Sequence, residues 1–298
     1  MLTVRQYDDG EAFWREVAEP LSSRGVPTNA FVGYAYATRA ETPPAIMRLG
    51  VFDGARVVVG ALQTPPFRLS LADDGADAQA TLVLAEHLAA RGVGLSGVMG
   101  DERLVDSFVG DWCARTGLRF NDPGAHGRRQ NLYQVTRVAP PLGVAGHMRP
   151  ASAGERDLLV QWEQGFATDA SLPPLESDPA FVAQLVDVGL ADGGFYLWEV
   201  DGRPRATARL RRIAHFGARV SGVYTPPPER GHGYAAALTA ALSQMVLDRG
   251  QFCCLFADAA NPLTNRIYQR IGYVRVAGFA DILFSDAETC EAAWRASS

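Results

Sequence analysis

A chain of 298 residues, 47% hydrophobic and 20% charged, holds enough material for one large or two ordinary globular domains. Its formal charge of −5, without a basic block, argues against nucleic acid as a main partner. No apolar run reaches membrane-spanning length, and the opening MLTVRQYDDGEAFW lacks a secretion signal, so a soluble, cytoplasmic protein with no membrane partner is expected.

All 28 basic residues are arginine. A chain without lysine cannot form a Schiff base through its own side chains, nor build a Walker-type phosphate loop. The four cysteines, Cys113, Cys253, Cys254 and Cys290, form no C-x-x-C and no Cys/His cluster at zinc spacing, so neither a metal nor a structural disulfide is expected.

Along the first half, periodicity predicts helices over 8–23 and 28–40, then strands over 46–52 and 55–62. A strand over 67–72 leads to a helix over 76–91. A strand over 94–99, a helix over 102–116 and a strand over 131–138 follow. The proline-rich Ala139 to Gly143 divides the chain.

Beyond it come a short strand over 147–149, helices over 152–168 and 178–191, and a hairpin formed by 195–200 and 204–213 about Asp201-Gly202. A strand over 216–225 precedes a helix over 231–249 that carries Leu238, Leu242 and Met245 on one face and stops at Gly250. A buried strand follows over 252–257. Asn261 and Pro262 open a helix, as N-cap and first-turn proline, that Gly272 ends. Two closing strands are expected, over 273–276 and 279–284.

The same order of elements occurs twice, and residues 111–117 can be laid over 266–272. This predicts two copies of one α/β fold, over 1–140 and 145–298. The copies differ where chemistry would sit. The first carries Asp73, Asp74 and Asp77 before its helix, where carboxylates would repel a phosphate, and Cys113 where the second has Tyr268.

The segment SGVYTPPPERGHGYAAALTAAL, residues 221–242, reads as a strand, a proline-stiffened bend and a glycine-rich helix start. Backbone N–H groups at a helix N-terminus have no intrahelical partners and sit at the positive end of the dipole, so an anion such as a phosphate is the natural guest. Gly231-x-Gly233-x-x-Ala236 also fits a dinucleotide fingerprint, with Asp258 as the ribose-binding acid. Against that stand the spacer Pro226–Arg230, the hairpin-forming strands before it and the lack of a second β-α-β half.

Arg230-x-x-Gly233-x-Ala235 after a strand, together with NPLTNRIYQRIGY, resembles the GCN5-related N-acetyltransferase (GNAT) family, in element order over about 145–285 and in motif over 221–273. The resemblance implies two tandem acyl-CoA N-acyltransferase domains, each a mixed, mostly antiparallel sheet flanked by helices, with a degenerate first copy. It implies that Arg230, Gly231, His232, Gly233, Tyr234 and Ala235 hold the coenzyme A pyrophosphate, His232 through its backbone alone. By position, Val223 and Thr225 would hydrogen-bond the pantetheine. Asn261 and Asn265 would contact the cofactor or order the helix start. Tyr268 would be the general acid for the departing thiolate.

The implied reaction is direct transfer of an acetyl group from acetyl-CoA to a small-molecule amine, without metal or covalent acyl-enzyme, in a chain that could also form a homodimer. Glu199, Asp258 and His215 lie near strand ends, but none is assigned as base. The alternatives are a catalytically silent acyl-CoA sensor and a nicotinamide-dinucleotide enzyme. On the second helix, Leu263, Ile267 and Ile271 recur every four residues and predict a buried stripe, with Asn261, Thr264, Asn265 and Tyr268 on a neighbouring face.

Overall fold

The computed structural model describes residues 1–40, 46–75, 78–117 and 127–284; the predicted Asp77 and Cys290 lie outside these. In chain order, strand β1 (Leu2–Gln6) precedes a helix α1 built of consecutive segments Gly10–Phe13, Trp14–Ala18 and Glu19–Ser22, the middle one a π-turn. Then come α2 (Asn29–Ala37), β2 (Met47–Asp53), β3 (Arg56–Gln63), β4 (Leu69–Asp73), α3 (Ala78–Ala90), β5 (Gly97–Asp101), α4 (Glu102–Thr116) and β6 (Gly127–Val135). The second half contributes β7 (His147–Pro150), α5 (Arg156–Asp169), α6 (Pro179–Ala191), β8 (Phe195–Val200), β9 (Arg203–Ile213), β10 (Gly217–Tyr224), α7 (Tyr234–Leu247), β11 (Phe252–Asp258), α8 (Pro262–Ile271) and β12 (Tyr273–Leu283).

The chain forms two compact units. One takes Met1–Leu132, Asp258–Ala260 and Val276–Ser298; the other takes Tyr133–Ala257 and Asn261–Arg275. Each is a mixed, mostly antiparallel sheet flanked by helices. In the first unit the strands run β1-β2-β3-β4-β5 and then the second part of β12, with only β4 and β5 parallel. Phe279–Leu283 pairs antiparallel with Asp101–Gly97, and Ala280 and Ile282 enter the same core as Leu84, Phe108 and Trp112.

Two features of this unit differ from expectation. β1 was not predicted; its inward residues Leu2 and Val4 are only partly buried, so five residues give a weak alternation signal. β12 is one strand, not two. Gly278 looked like a break, but it permits close approach instead: a Cβ there would lie 2.0 Å from the Glu102 carboxyl carbon.

The second unit orders its strands β7-β8-β9-β10-β11, antiparallel except for β10 with β11. Two cores form on the two faces of the sheet. On one, α7 and α8 bring Leu238, Leu242 and Ile271 against Ala206, Ala208, Val220 and Leu255. On the other, α5 and α6 bring Leu159, Trp162 and Val186 against Phe195 and Leu197. Asn261 caps α8, its Oδ1 accepting from the N–H groups of Leu263 and Thr264, and Gly272 ends the helix at φ +107°.

The predicted stripe on α8 holds at Ile267 and Ile271, which pack in the core, and fails at Leu263. Leu263 is 65% exposed, whereas Asn265 and Ile271 are buried and Tyr268 packs on the core. The amide of Asn265 can be buried because both its ends are bonded: Tyr133 donates to its Oδ1 at 2.8 Å, and its Nδ2 donates to the carbonyl of Asn261 at 2.6 Å.

Candidate functional site

The site grows from an irregularity in β10. Its pairing with β9 steps from Ser221 opposite Arg209 to Tyr224 opposite Thr207, which leaves one extra residue on β10. Gly222 absorbs this bulge at φ +56°. On the other side, parallel pairing with β11 ends at Val220–Leu255, although both strands continue. The sheet is therefore unpaired between β10 and β11 from Ser221 onward, and a slot opens through which a narrow chain can reach the backbone of β10. In the first unit the matching strands stay close past their last pair: a Cβ at Gly100 would lie 2.7 Å from the carbonyl oxygen of Leu71.

At the end of β10 the chain turns through a single 3-10 turn, Pro227–Glu229, where the prolines fix φ. Gly231 and Gly233 then take φ +85° and +82°, values that favour glycine, and α7 begins at Tyr234 rather than at Gly231 as expected. The first intrahelical bond runs from the Ala237 N–H to the Gly233 carbonyl. Among the described residues, none of the six N–H groups from Gly231 to Ala236 has an acceptor. These donors cluster at the positive end of a 14-residue helix.

Of the expected loop residues, Gly231, His232, Gly233, Tyr234 and Ala235 all lie in this row. The ring of His232 stacks on Tyr234 at 5.4 Å, and its Nδ1 lies 3.2 Å from the Glu229 carbonyl oxygen. Arg230 is different. Its Nε donates to the Thr225 carbonyl at 3.0 Å, its Nη2 pairs with Asp169 of α5, and its guanidinium lies over the Tyr224 ring. The side chain thus pins the loop to α5, and the backbone N–H of Arg230 donates to the Pro227 carbonyl at 3.3 Å, so Arg230 holds the loop and the free donors begin at Gly231. Arg205 braces the same turn by pairing with Glu229. Val223 turns toward the core of α7 and α8, while the Thr225 hydroxyl is buried with no partner among the described residues, a polar atom that calls for a guest.

Tyr268 reaches this region from α8. Its ring packs edge-on against Tyr273 at 6.1 Å and shares the Val223 core. Burial alone pushes its phenol up to about 12, so it holds a proton throughout the neutral range. Asn261 and Asn265 use their side chains to cap and fix this helix. The thiols of Cys253 and Cys254 are also pushed up by burial, so neither supplies a thiolate nucleophile.

Of the groups considered as base, Glu199 is tied to Arg149 at 2.5 Å, Asp258 caps the Ala260 N–H at 2.8 Å, and His215 lies tilted against Phe216 where β9 turns into β10, away from the slot. Sequence reasoning passed over Glu163. It is 4% exposed on α5, its carboxyl pushed up by burial and drawn back by Arg209, whose Nε lies 3.2 Å away. Only its place in an apolar helical face, between Trp162 and Phe166, hinted at this. A groove of about 530 Å³ runs along α5 past Asp157, Gln161, Gln164 and Thr168; it lacks the donors of the loop and is open to solvent.

Comparison with known proteins follows the same lines. The family model for the acetyltransferase (GNAT) family matches residues 158–273. A GNAT-family acetyltransferase of Colwellia psychrerythraea is similar in structure, with a TM-score of 0.62 at 12% identity, over 95% of this chain and all (100%) of that one. A GCN5-related N-acetyltransferase of Sphaerobacter thermophilus gives 0.58 at 16% identity, covering 95% of each chain. A tandem GNAT protein from the clavulanic acid biosynthesis pathway gives 0.55 at 12%, over 95% of this chain and 97% of that one. No curated protein sequence matches the chain. The family match thus lies on residues 158–273, almost entirely within the second unit, and the chain shares the fold of the tandem GNAT protein. Among the described residues, no group of side chains could hold a metal ion, and no helix is long and apolar enough to cross a membrane.

Proposed function

We propose that the second unit transfers an acetyl group from acetyl-CoA to an amine. The observation that carries this reading is the row of six unengaged N–H groups, Gly231 to Ala236, at the head of α7 beside the opened strands. A pyrophosphate matches that row in charge and in its need for donors. The slot past Val220–Leu255 leaves the backbone of Val223 and Thr225 for a pantetheine arm, and the partnerless Thr225 hydroxyl adds one more polar atom. Acetyl-CoA supplies an activated thioester. The chain supplies the grip, a backbone N–H of Val223 or Thr225 for the carbonyl oxygen, and the Tyr268 phenol for the leaving sulfur.

The test is calorimetric titration of the full chain with acetyl-CoA and with NADH, then thiol release from acetyl-CoA over a panel of primary amines. Micromolar acetyl-CoA binding, none for NADH, and amine-dependent thiol release are expected. Binding without turnover on any amine would favour a sensor; NADH binding would favour the dinucleotide reading.

A further inference from the structure

The phenol of Tyr268 serves one end of a transfer reaction. The incoming amine must lose a proton at the other, and the geometry of the β10 bulge points to a residue for it. Past Val220 the side chains of β10 diverge. Val223 faces the α7–α8 core that holds Tyr268, and Tyr224 faces the α5–α6 core. Between them, Gly222 has no side chain, and Glu163 of α5 fills the space. A Cβ at Gly222 would lie 2.9 Å from Glu163 Oε1 and 2.6 Å from Arg209 Nε. The unpaired stretch of backbone thus has Tyr268's core on one face and a buried carboxylate on the other.

We propose that Glu163 accepts the proton released by the acceptor amine, on the face of the sheet opposite Tyr268. This rests on the acetyl-transfer reading above. The balance is simple. The amine nitrogen forms a bond to the thioester carbonyl carbon and loses one proton to Glu163, directly or through one water. The carbon–sulfur bond breaks, its electron pair leaves with sulfur, and sulfur takes one proton from Tyr268. Solvent restores both residues.

The surroundings suit the task. Apart from Arg209, what α6, β8 and β10 turn into this core is apolar or phenolic: Val186, Phe195, Leu197 and Tyr224. Arg209 holds the carboxylate in place at 3.2 Å, and among the described residues it is the one charged group that acts on Glu163. Glu163 Oε1 is sealed from solvent without a well-formed hydrogen bond, which is costly for a group that does nothing but pack. The opposing account is a purely structural ion pair, and the two separate experimentally.

Saturated turnover would be followed by thiol release from pH 5.5 to 9.5, with the best amine of the panel, for wild type, Glu163→Gln, Glu163→Asp and the double variant Glu163→Gln/Arg209→Met. Using kcat removes the titration of free amine from the profile. In the proposal, Glu163→Gln loses about 100-fold or more in kcat and the acidic limb of the profile disappears, while acetyl-CoA affinity stays within about twofold. Glu163→Asp keeps the limb at a reduced rate. The double variant leaves no lone buried charge, so it folds even if Glu163→Gln does not, and it remains inactive. Wild-type kcat in either Gln-containing variant, or a Glu163→Gln profile that keeps its acidic limb, would overturn the assignment alone. A wild-type protein that fails to bind acetyl-CoA or to release thiol overturns the transfer reading, and Glu163's role with it.

Discussion

Replacing Tyr268 with Phe removes one oxygen from a ring that otherwise stays packed on Tyr273. The phenol is raised to about 12 by burial alone, with no hydrogen bond contributing, so no internal bond is lost. Folding should change little, by less than about 1 kcal/mol. Catalysis should change much more. A thiol titrates near ~8.5, so complete transfer from a phenol at about 12 to the thiolate is uphill by about 3.5 units, or about 5 kcal/mol. In the proposed transfer the proton must therefore be moving while the carbon–sulfur bond still breaks, where its value is largest. A positioned acid contributes about 10² to 10⁴ in rate, so Tyr268→Phe should lose two to four decades of kcat at nearly constant acetyl-CoA affinity.

The pH dependence follows from the same shift. A group at about 12 stays protonated up to pH 9, where about one phenol in a thousand is ionised. Wild-type turnover should then show no alkaline fall from Tyr268 below about pH 11. Thiol release in single-turnover mixing, alongside calorimetric binding, measures both. A Tyr268→Phe rate within threefold of wild type when chemistry limits, or a fall near pH 9 that the variant abolishes, would refute the reasoning.

Two other predictions stand on separate parts of the molecule. Gly233→Val places a β-branched residue at φ +82°, a strain of about 1–3 kcal/mol, and turns the N–H row; acetyl-CoA should bind at least tenfold more weakly by calorimetry, and full affinity would remove the loop from the site. Glu155 is held down to about 2 by Arg149, which it meets at 2.7 Å, so its contribution is complete above its ordinary 4.5 and disappears as pH falls toward 2. The shift corresponds to about 3 kcal/mol at most and about 1–2 after solvent screening. Glu155→Gln should therefore be less stable than wild type in urea at pH 7, with the gap narrowing steadily from pH 4.5 to 3; a constant gap would contradict the linkage.

Much of the site was legible in the chain because its signals are local. Glycines at 231 and 233 announce left-handed backbone, and asparagine before proline at 261–262 announces a capped helix; each depends on neighbours within one turn. From these came the loop, the helix of Tyr268 and the doubled order of elements. Tertiary packing decided the rest. Phe279–Leu283 joins the first unit by pairing with β5, a partner about 180 residues away, which no window of sequence contains. The turning of Arg230 toward Asp169, the exposure of Leu263 at the end of the expected stripe, and the burial that raises Tyr268 all depend on which surfaces close over them. Glu163 is the clearest case. In sequence it is one acid on a helix; beside Gly222 and Arg209 it is a carboxylate under an opened strand, because only the fold brings residues 163, 209 and 222 together.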